Sequence, residues 1–122
     1  MATETYSLLD SGAGRKLERF GRFVLARPCA QAIWHPQRAP AEWAAADASF
    51  DREEGHRWQG RARLPEQWPI EIEGVRFRLS STDFGHLGIF PEQRAQWRWL
   101  RRCLHAAQAR RPDRPTRVLN LF

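Results

Sequence analysis

The sequence predicts an α+β chain: a β-rich N-terminal segment containing a hairpin, leading into one long helix and a short apolar strand that would open an α/β sheet. Three stretches predict it. In residues 69–80, Ile70, Ile72, Val75, Phe77 and Leu79 alternate with Glu71, Arg76 and Arg78 around Glu73-Gly74, the pattern of a two-stranded hairpin. Pro91 suits the first turn of a helix, and neither Gly nor Pro follows until Pro112, so about 20 residues can stay helical. Residues 117–122, R-V-L-N-L-F, then read as a buried strand.

The elements before the hairpin are shorter. Residues 6–9 form a strand ended by the turn D-S-G-A-G, and R-K-L-E-R-F-G at 15–21 reads as a basic loop or a single helical turn. Residues 23–26 (F-V-L-A) and 31–34 (Q-A-I-W) read as strands on either side of Arg27-Pro-Cys-Ala, with His35-Pro36 ending the second. Residues 40–48 have helix propensity, with Pro40 at the start and three consecutive alanines. Charged, glycine-bounded residues 49–60 read as a loop, and 61–64 as a further strand. One face of the hairpin is apolar, and the other sets glutamate against arginine.

At about 100° per residue, Trp97, Trp99, Leu100, Cys103, Leu104 and Ala107 share one arc of the long helix. Arg94, Arg98, Arg101, Arg102 and His105 take the opposite arc. Glu92, Gln93 and Gln96 break the rule, because they project toward the apolar side near the helix N-terminus. A short connection to the strand at 117–122 would turn the helix antiparallel to it. The helix N-terminus would then lie at the carboxyl edge of that strand, where ligands bind in open α/β sheets. This reasoning marks Phe90, Glu92, Gln93 and Gln96 as a ligand edge. Buried polar groups there would need partners that apolar neighbours cannot supply.

The bulk composition is globular, with 42% apolar and 28% charged residues in 122. No apolar run reaches the ~20 residues that cross a bilayer, and the N-terminus lacks the features of a signal peptide. The sequence therefore predicts a cytoplasmic protein with no membrane partner. Cys29 and Cys103 form neither a disulfide framework nor a metal knuckle, and free thiols fit a reducing compartment. The net charge is +6, and Lys16 is the one lysine among 20 basic residues. Such a surface favours anionic partners, nucleic acid first, although an arginine excess also follows from base composition.

Each chemical motif has two readings. Cys103 and His105 stand about 200° apart on a helix, so they share no ion, and no metal site is expected. His86, between Gly85 and Gly88, either meets a substrate at the ligand edge or caps its own loop. Asp83-x-x-His86 could be half of a dyad, with no nucleophile placed to complete it. Arg94, Arg98, Arg101 and Arg102 either follow a phosphate backbone or form a solubilising face. The six tryptophans stack on bases or fill the core, and core filling suits most of them.

G-H-L-G-I-F-P-E-Q at 85–93, followed by W-R-W-L and V-L-N-L-F, resembles the bacterial S-adenosylmethionine-dependent methyltransferases related to the 23S rRNA (cytosine-C5) methyltransferases. The early Y-S-L-L-D-S-G-x-G-R-K-L-E-R-F-G, Arg27-Pro28 and Q-A-I-W resemble that family's N-terminal segment. The resemblance implies an α+β segment over 1–82, β-rich with a hairpin and lying on the substrate side. Residues 83–122 would be the first helix and strand of a Rossmann-like α/β methyltransferase domain. It also implies S-adenosyl-L-methionine as cofactor in the full-length enzyme, with Phe90, Glu92 and Gln93 in the wall of its pocket. RNA is the expected acceptor, given the basic charge, with His86, Arg94 and Arg98 as the residues expected to bind it. The family's glycine-bearing cofactor turn, ribose-binding acidic residue and Asp-Pro-Pro-type motif have no counterpart up to Phe122. The expectation is an N-terminal portion, inactive alone, that needs the remaining methyltransferase portion. Two alternatives stay open: a free-standing basic module that binds nucleic acid or protein, and a homodimer that buries the helix's apolar arc.

Overall fold

The computed structural model describes residues 5–53 and 55–121, which fall into two compact units, one up to Ile89 and one from Phe90. The first unit is built on a five-stranded sheet in chain order: β1 (Tyr6–Gly12), β2 (Arg15–Phe20), β3 (Phe23–Pro28), β4 (Ala48–Asp51) and β5 (Arg57–Gln59). The first three strands form an antiparallel meander. Strand β4 then joins β3 in parallel after a crossover that carries α1 (Pro40–Ala44), and β5 returns antiparallel. A separate hairpin, β6 (Trp68–Ile72) and β7 (Val75–Leu79), completes the unit. Its turn is Glu73-Gly74, both residues at positive φ, as a two-residue hairpin turn that follows sheet twist requires. Glu71 stands directly opposite Arg76, as the alternation predicted.

Several sequence expectations are corrected here. R-K-L-E-R-F is no loop but the interior strand β2, between β1 and β3. Its charge concealed a period of two, which puts Leu17 on one face and Glu18 and Phe20 in the buried positions flanking it. Residues 31–34 form no strand. Their backbone bonds go to the β1–β2 turn, with Ala13 N–H donating to Trp34 O and Gly14 N–H to Ala32 O, and Ile33 is left exposed. The alanine-rich helix stops at Ala44, four residues early. Asp47 is needed at the edge of β3, where its N–H donates to Val24 O and its Oδ2 accepts the Val24 N–H at 2.7 Å. Tertiary bonding thus overrides local propensity. Two strands, β4 and β5, lie inside the stretch read as a loop, and 61–64 is a 3₁₀ turn (Arg61–Arg63) instead of a strand.

Register assigns the two faces. Leu17, Ala26, Ser49 and Gln59 share one face, while Glu18, Leu25, Ala48, Phe50 and Trp58 share the other. On the first face Leu17, Ala26 and Ala46 form a core against which Leu9, Val24 and Trp43 pack. Asp10 fixes this side. Its carboxylate accepts the backbone N–H groups of Arg38 (2.9 Å), Gln37 and Ser11 and the Trp43 indole N–H (3.1 Å). The Arg38 N–H above all holds the Asp10 carboxyl below its ordinary pKa, partial desolvation opposing it and the Gln37 bond adding to it. Pro40 opens α1, and Glu42 reaches back to the Ala39 N–H.

On the second face Glu18, fully buried, accepts Arg27 Nε at 2.9 Å and Nη2 at 3.1 Å, and the Tyr6 hydroxyl at 3.0 Å. Lys16 Nζ lies 3.3 Å away at the rim. Arg27 Nη1 continues to the carbonyl of Gly85 at 3.2 Å. The hairpin closes the same face: Trp68 donates its indole N–H to Phe20 O and packs edge-on against Phe23, ring centroids 5.4 Å apart.

The second unit holds a 3₁₀ turn (Pro91–Gln93) running into α2 (Arg94–Arg110), close to the predicted helix. The strand expected at 117–122 is corrected: residues 117–121 are not extended into a ladder, and Phe122 lies outside the described residues. A single strand without neighbours leaves its N–H and C=O groups unpaired, so nothing holds it extended. Instead Gln108 ties the tail back, donating from Nε2 to Arg114 O (3.1 Å) and accepting the Thr116 hydroxyl at Oε1 (2.9 Å). No residue of α2 is buried, and Trp99 is 59% exposed, so the predicted inward arc is not covered. Among the described residues no helix is long and apolar enough to cross a membrane.

Two outcomes test these contacts. Glu18→Ala strands a buried guanidinium and should cost about 3–5 kcal/mol in urea unfolding, part of which the double variant Glu18→Leu, Arg27→Leu recovers. Asp10 binds its proton less readily folded than unfolded. Its stabilisation is therefore complete above the unfolded carboxyl pKa, ~3.9, and lost as pH falls through the lower folded value. The stability difference between wild type and Asp10→Asn should be constant above about pH 5 and shrink below about pH 4.

Candidate functional site

The segment that carries the sequence-predicted site begins as a braced loop. Residues 80–89 leave β7 and fold back on themselves: Ser80 N–H donates to Leu87 O, and Thr82 N–H to His86 O. The Thr82 hydroxyl accepts the His86 N–H at 3.1 Å and donates to the His86 carbonyl at 2.9 Å. Trp58 donates its indole N–H to Thr82 O at 2.7 Å. Arg61 holds the outer side, bonding Asp83 Oδ1 at 2.6 Å, Ser81 Oγ at 3.0 Å and the Ser81 carbonyl. Leu87 and Ile89 are buried beneath the loop.

Gly85 closes it. Its φ is +79°, and a Cβ there would sit 2.6 Å from Phe50 Cδ1, so the position excludes any side chain both by conformation and by space. Arg27 reaches the Gly85 carbonyl from the sheet, which makes the loop an extension of the buried ion pair. The imidazole of His86 is thereby held at an exposed turn, and among the described residues it makes no hydrogen bond of its own. The Asp83–His86 dyad does not form, because the Asp83 carboxylate is engaged by Arg61.

The remaining predicted residues belong to the second unit. Phe90 is 61% exposed and precedes the 3₁₀ turn, its carbonyl accepting the Gln93 N–H at 3.0 Å. Glu92 is exposed, so solvent satisfies its carboxylate and the argument from burial does not apply to it. Gln93, half-buried, stands at the N-cap position of α2 without a side-chain capping bond. Arg94, half-buried, and Arg98, exposed, lie four residues apart on one side of α2. Phe90, Glu92, Gln93, Arg94 and Arg98 are therefore consecutive along one short stretch, whereas His86 is anchored to the sheet unit.

The sequence missed a second site, on the α1 face of the sheet. A cleft of ≈ 640 Å³ is lined by Arg15, Arg38, Trp43, Asp47, Ser49 and Arg63, among others. The Arg15 guanidinium carbon lies 5.9 Å from the centroid of the Trp43 ring. Arg38 is held by Glu42 (3.0 Å) and by the Leu9 carbonyl. The signal that would have found the cleft is the alternation inside R-K-L-E-R-F, which sets Arg15 on the face of Leu17. Among the described residues no cluster of His, Cys, Asp or Glu could hold a metal.

No protein-family model matches the chain, and neither does any curated protein. Among solved structures the chain is similar to an S-adenosylmethionine-dependent methyltransferase from Agrobacterium tumefaciens, at 39% identity and a TM-score of 0.73 over 84% of this chain. The chain spans 35% of the length of that protein.

Proposed function

We propose that this chain is the N-terminal part of an S-adenosylmethionine-dependent methyltransferase that acts on RNA, ribosomal RNA foremost. The observation that carries the reading is the 39% identity to a methyltransferase over 84% of the chain, with a matching fold. Residues 1–82 then form the part that presents substrate, and 83–122 open the Rossmann-like cofactor domain. The braced loop that ends at Ile89 supports the same division of labour. A loop pinned by Arg27, Arg61, Trp58 and the Phe50 ring fixes the backbone of His86 and leaves its imidazole exposed, where an acceptor can reach it.

The residues present do not fit the cofactor by themselves. Phe90 and Glu92 are open to solvent, and a ligand of that size needs walls on several sides. Phe90, Glu92 and Gln93 supply one wall at most, and no step of methyl transfer is assigned to side chains of this chain. The reading therefore expects the isolated chain to be inactive. The +6 charge fits a polyanionic acceptor, which the basic surface draws in by long-range attraction.

The test has two arms. Calorimetric titration of the 122-residue chain with S-adenosylmethionine should give no heat of micromolar binding. The longer product of the same reading frame should transfer labelled methyl groups from S-adenosylmethionine to RNA. Transfer by the 122-residue chain alone, or no transfer by the longer product to any RNA, would overturn the proposal.

A further inference from the structure

We infer that the cleft on the α1 face of the sheet binds the phosphate backbone of single-stranded RNA, with Arg15 and Arg63 as its principal contacts. The inference deepens the reading above by naming where this chain holds its acceptor, and it rests on that reading for the choice of RNA. Its physical basis is the charge left over in the cleft. Arg38 is paired with Glu42, and Asp47, the one lining carboxylate, keeps its charge while accepting the Val24 N–H at 2.7 Å, so Arg15 and Arg63 leave the lining one positive charge in excess. Among the described residues neither Arg15 nor Arg63 has a carboxylate within 4.0 Å. Two guanidiniums thus line one concave surface without a direct ion-pair partner, and the excess positive charge favours an anion there.

Arg15 is also built into the site and is not a loose surface side chain. It leaves an interior strand beside Leu17, and its head rests over the Trp43 ring. That ring is fixed in turn by the core on one side and by Asp10 at its indole nitrogen. Arg63 follows from Gly60, whose φ of +75° turns the chain sharply, and a Cβ there would lie 2.5 Å from Asp47 O. Arg15 is therefore positioned before a ligand arrives, which lowers the entropy lost on binding, while Arg63 is placed by its backbone alone. Ser49 and Gln59, opposite one another in register on the same face, add neutral hydrogen-bonding groups between the two charges.

The dimensions favour a single strand. A cleft of ≈ 640 Å³ accepts about one or two nucleotides. A guanidinium plane offers a stacking surface for an unpaired base, which a duplex keeps inside its own stack.

The experiment measures binding alone, so its failure is distinguishable from failure of the methyl-transfer reading. A fluorescein-labelled single-stranded RNA 12-mer is titrated with the 122-residue chain, and anisotropy is followed across a salt series. The double variant Arg15→Gln, Arg63→Gln should weaken binding roughly tenfold or more and flatten the log–log salt slope by about 1.4, two single-strand phosphate contacts' worth. Gln59→Glu, which adds one charge without changing shape, should weaken it as well. The control pair Arg76→Gln, Arg78→Gln, exposed on β7, removes the same charge elsewhere and should leave the affinity within about twofold. Equal losses in the cleft and control pairs, or no loss in the cleft pair, would overturn the inference.

Discussion

The buried pair of Glu18 and Arg27 is the constraint on which the first unit depends. A carboxylate with no exposed surface survives there because every approach to it is satisfied: two bonds from one guanidinium, one from the Tyr6 hydroxyl and a lysine at the rim. Such a pair adds little net stability, since desolvation offsets most of its attraction, but it is very sensitive to loss of either member. What it contributes is position. The three groups come from β1, β2 and β3, so the pair fixes the register of the meander, and the remaining guanidinium nitrogen carries that register to Gly85.

The two faces of the sheet therefore do different work. The face bearing Glu18 is closed by the hairpin and by the 80–89 loop, with Phe50, Trp58 and Trp68 filling the space between. The opposite face is closed only in part. Helix α1 is too short to cover β4 and β5, and the uncovered area becomes the cleft. Asp10 shapes one side of this cleft, because it draws residues 37–43 against β1 through three donors, from Gln37, Arg38 and Trp43. One carboxylate on each face, buried or bonded, thus anchors the segment from which the neighbouring site is built.

The legible parts of the sequence were those whose pattern depends on few neighbours. The hairpin at 68–79 and the helix after Pro91 follow from alternation, a turn dipeptide and the absence of breakers, and both formed where expected. Misread segments share a different cause. In R-K-L-E-R-F the charged residues hid a strand because the core side chain opposite them, Arg27, is charged too. At 117–121 the apolar pattern of a strand is present, but a strand exists only as a partner to other strands. The candidate site divided in the same way. The G-H-L-G-I-F-P-E-Q segment was recognisable from its residues, whereas the cleft joins residues as distant as Arg15 and Arg63, and no local period connects them.

Taken alone, then, the order of residues determined which stretches could be helix or hairpin, the basic composition and the resemblance to methyltransferases. These depend on short-range sterics, side-chain period and composition, all of which are present in the chain before it folds. Tertiary structure decided that a charged hexapeptide would be an interior strand, that α1 would end at Ala44 and that Arg15 and Arg63 would line one cleft. The first two of those outcomes turn on how a buried charge or a backbone donor finds its partner, 9 residues away for Glu18 and Arg27 and 23 for Val24 and Asp47.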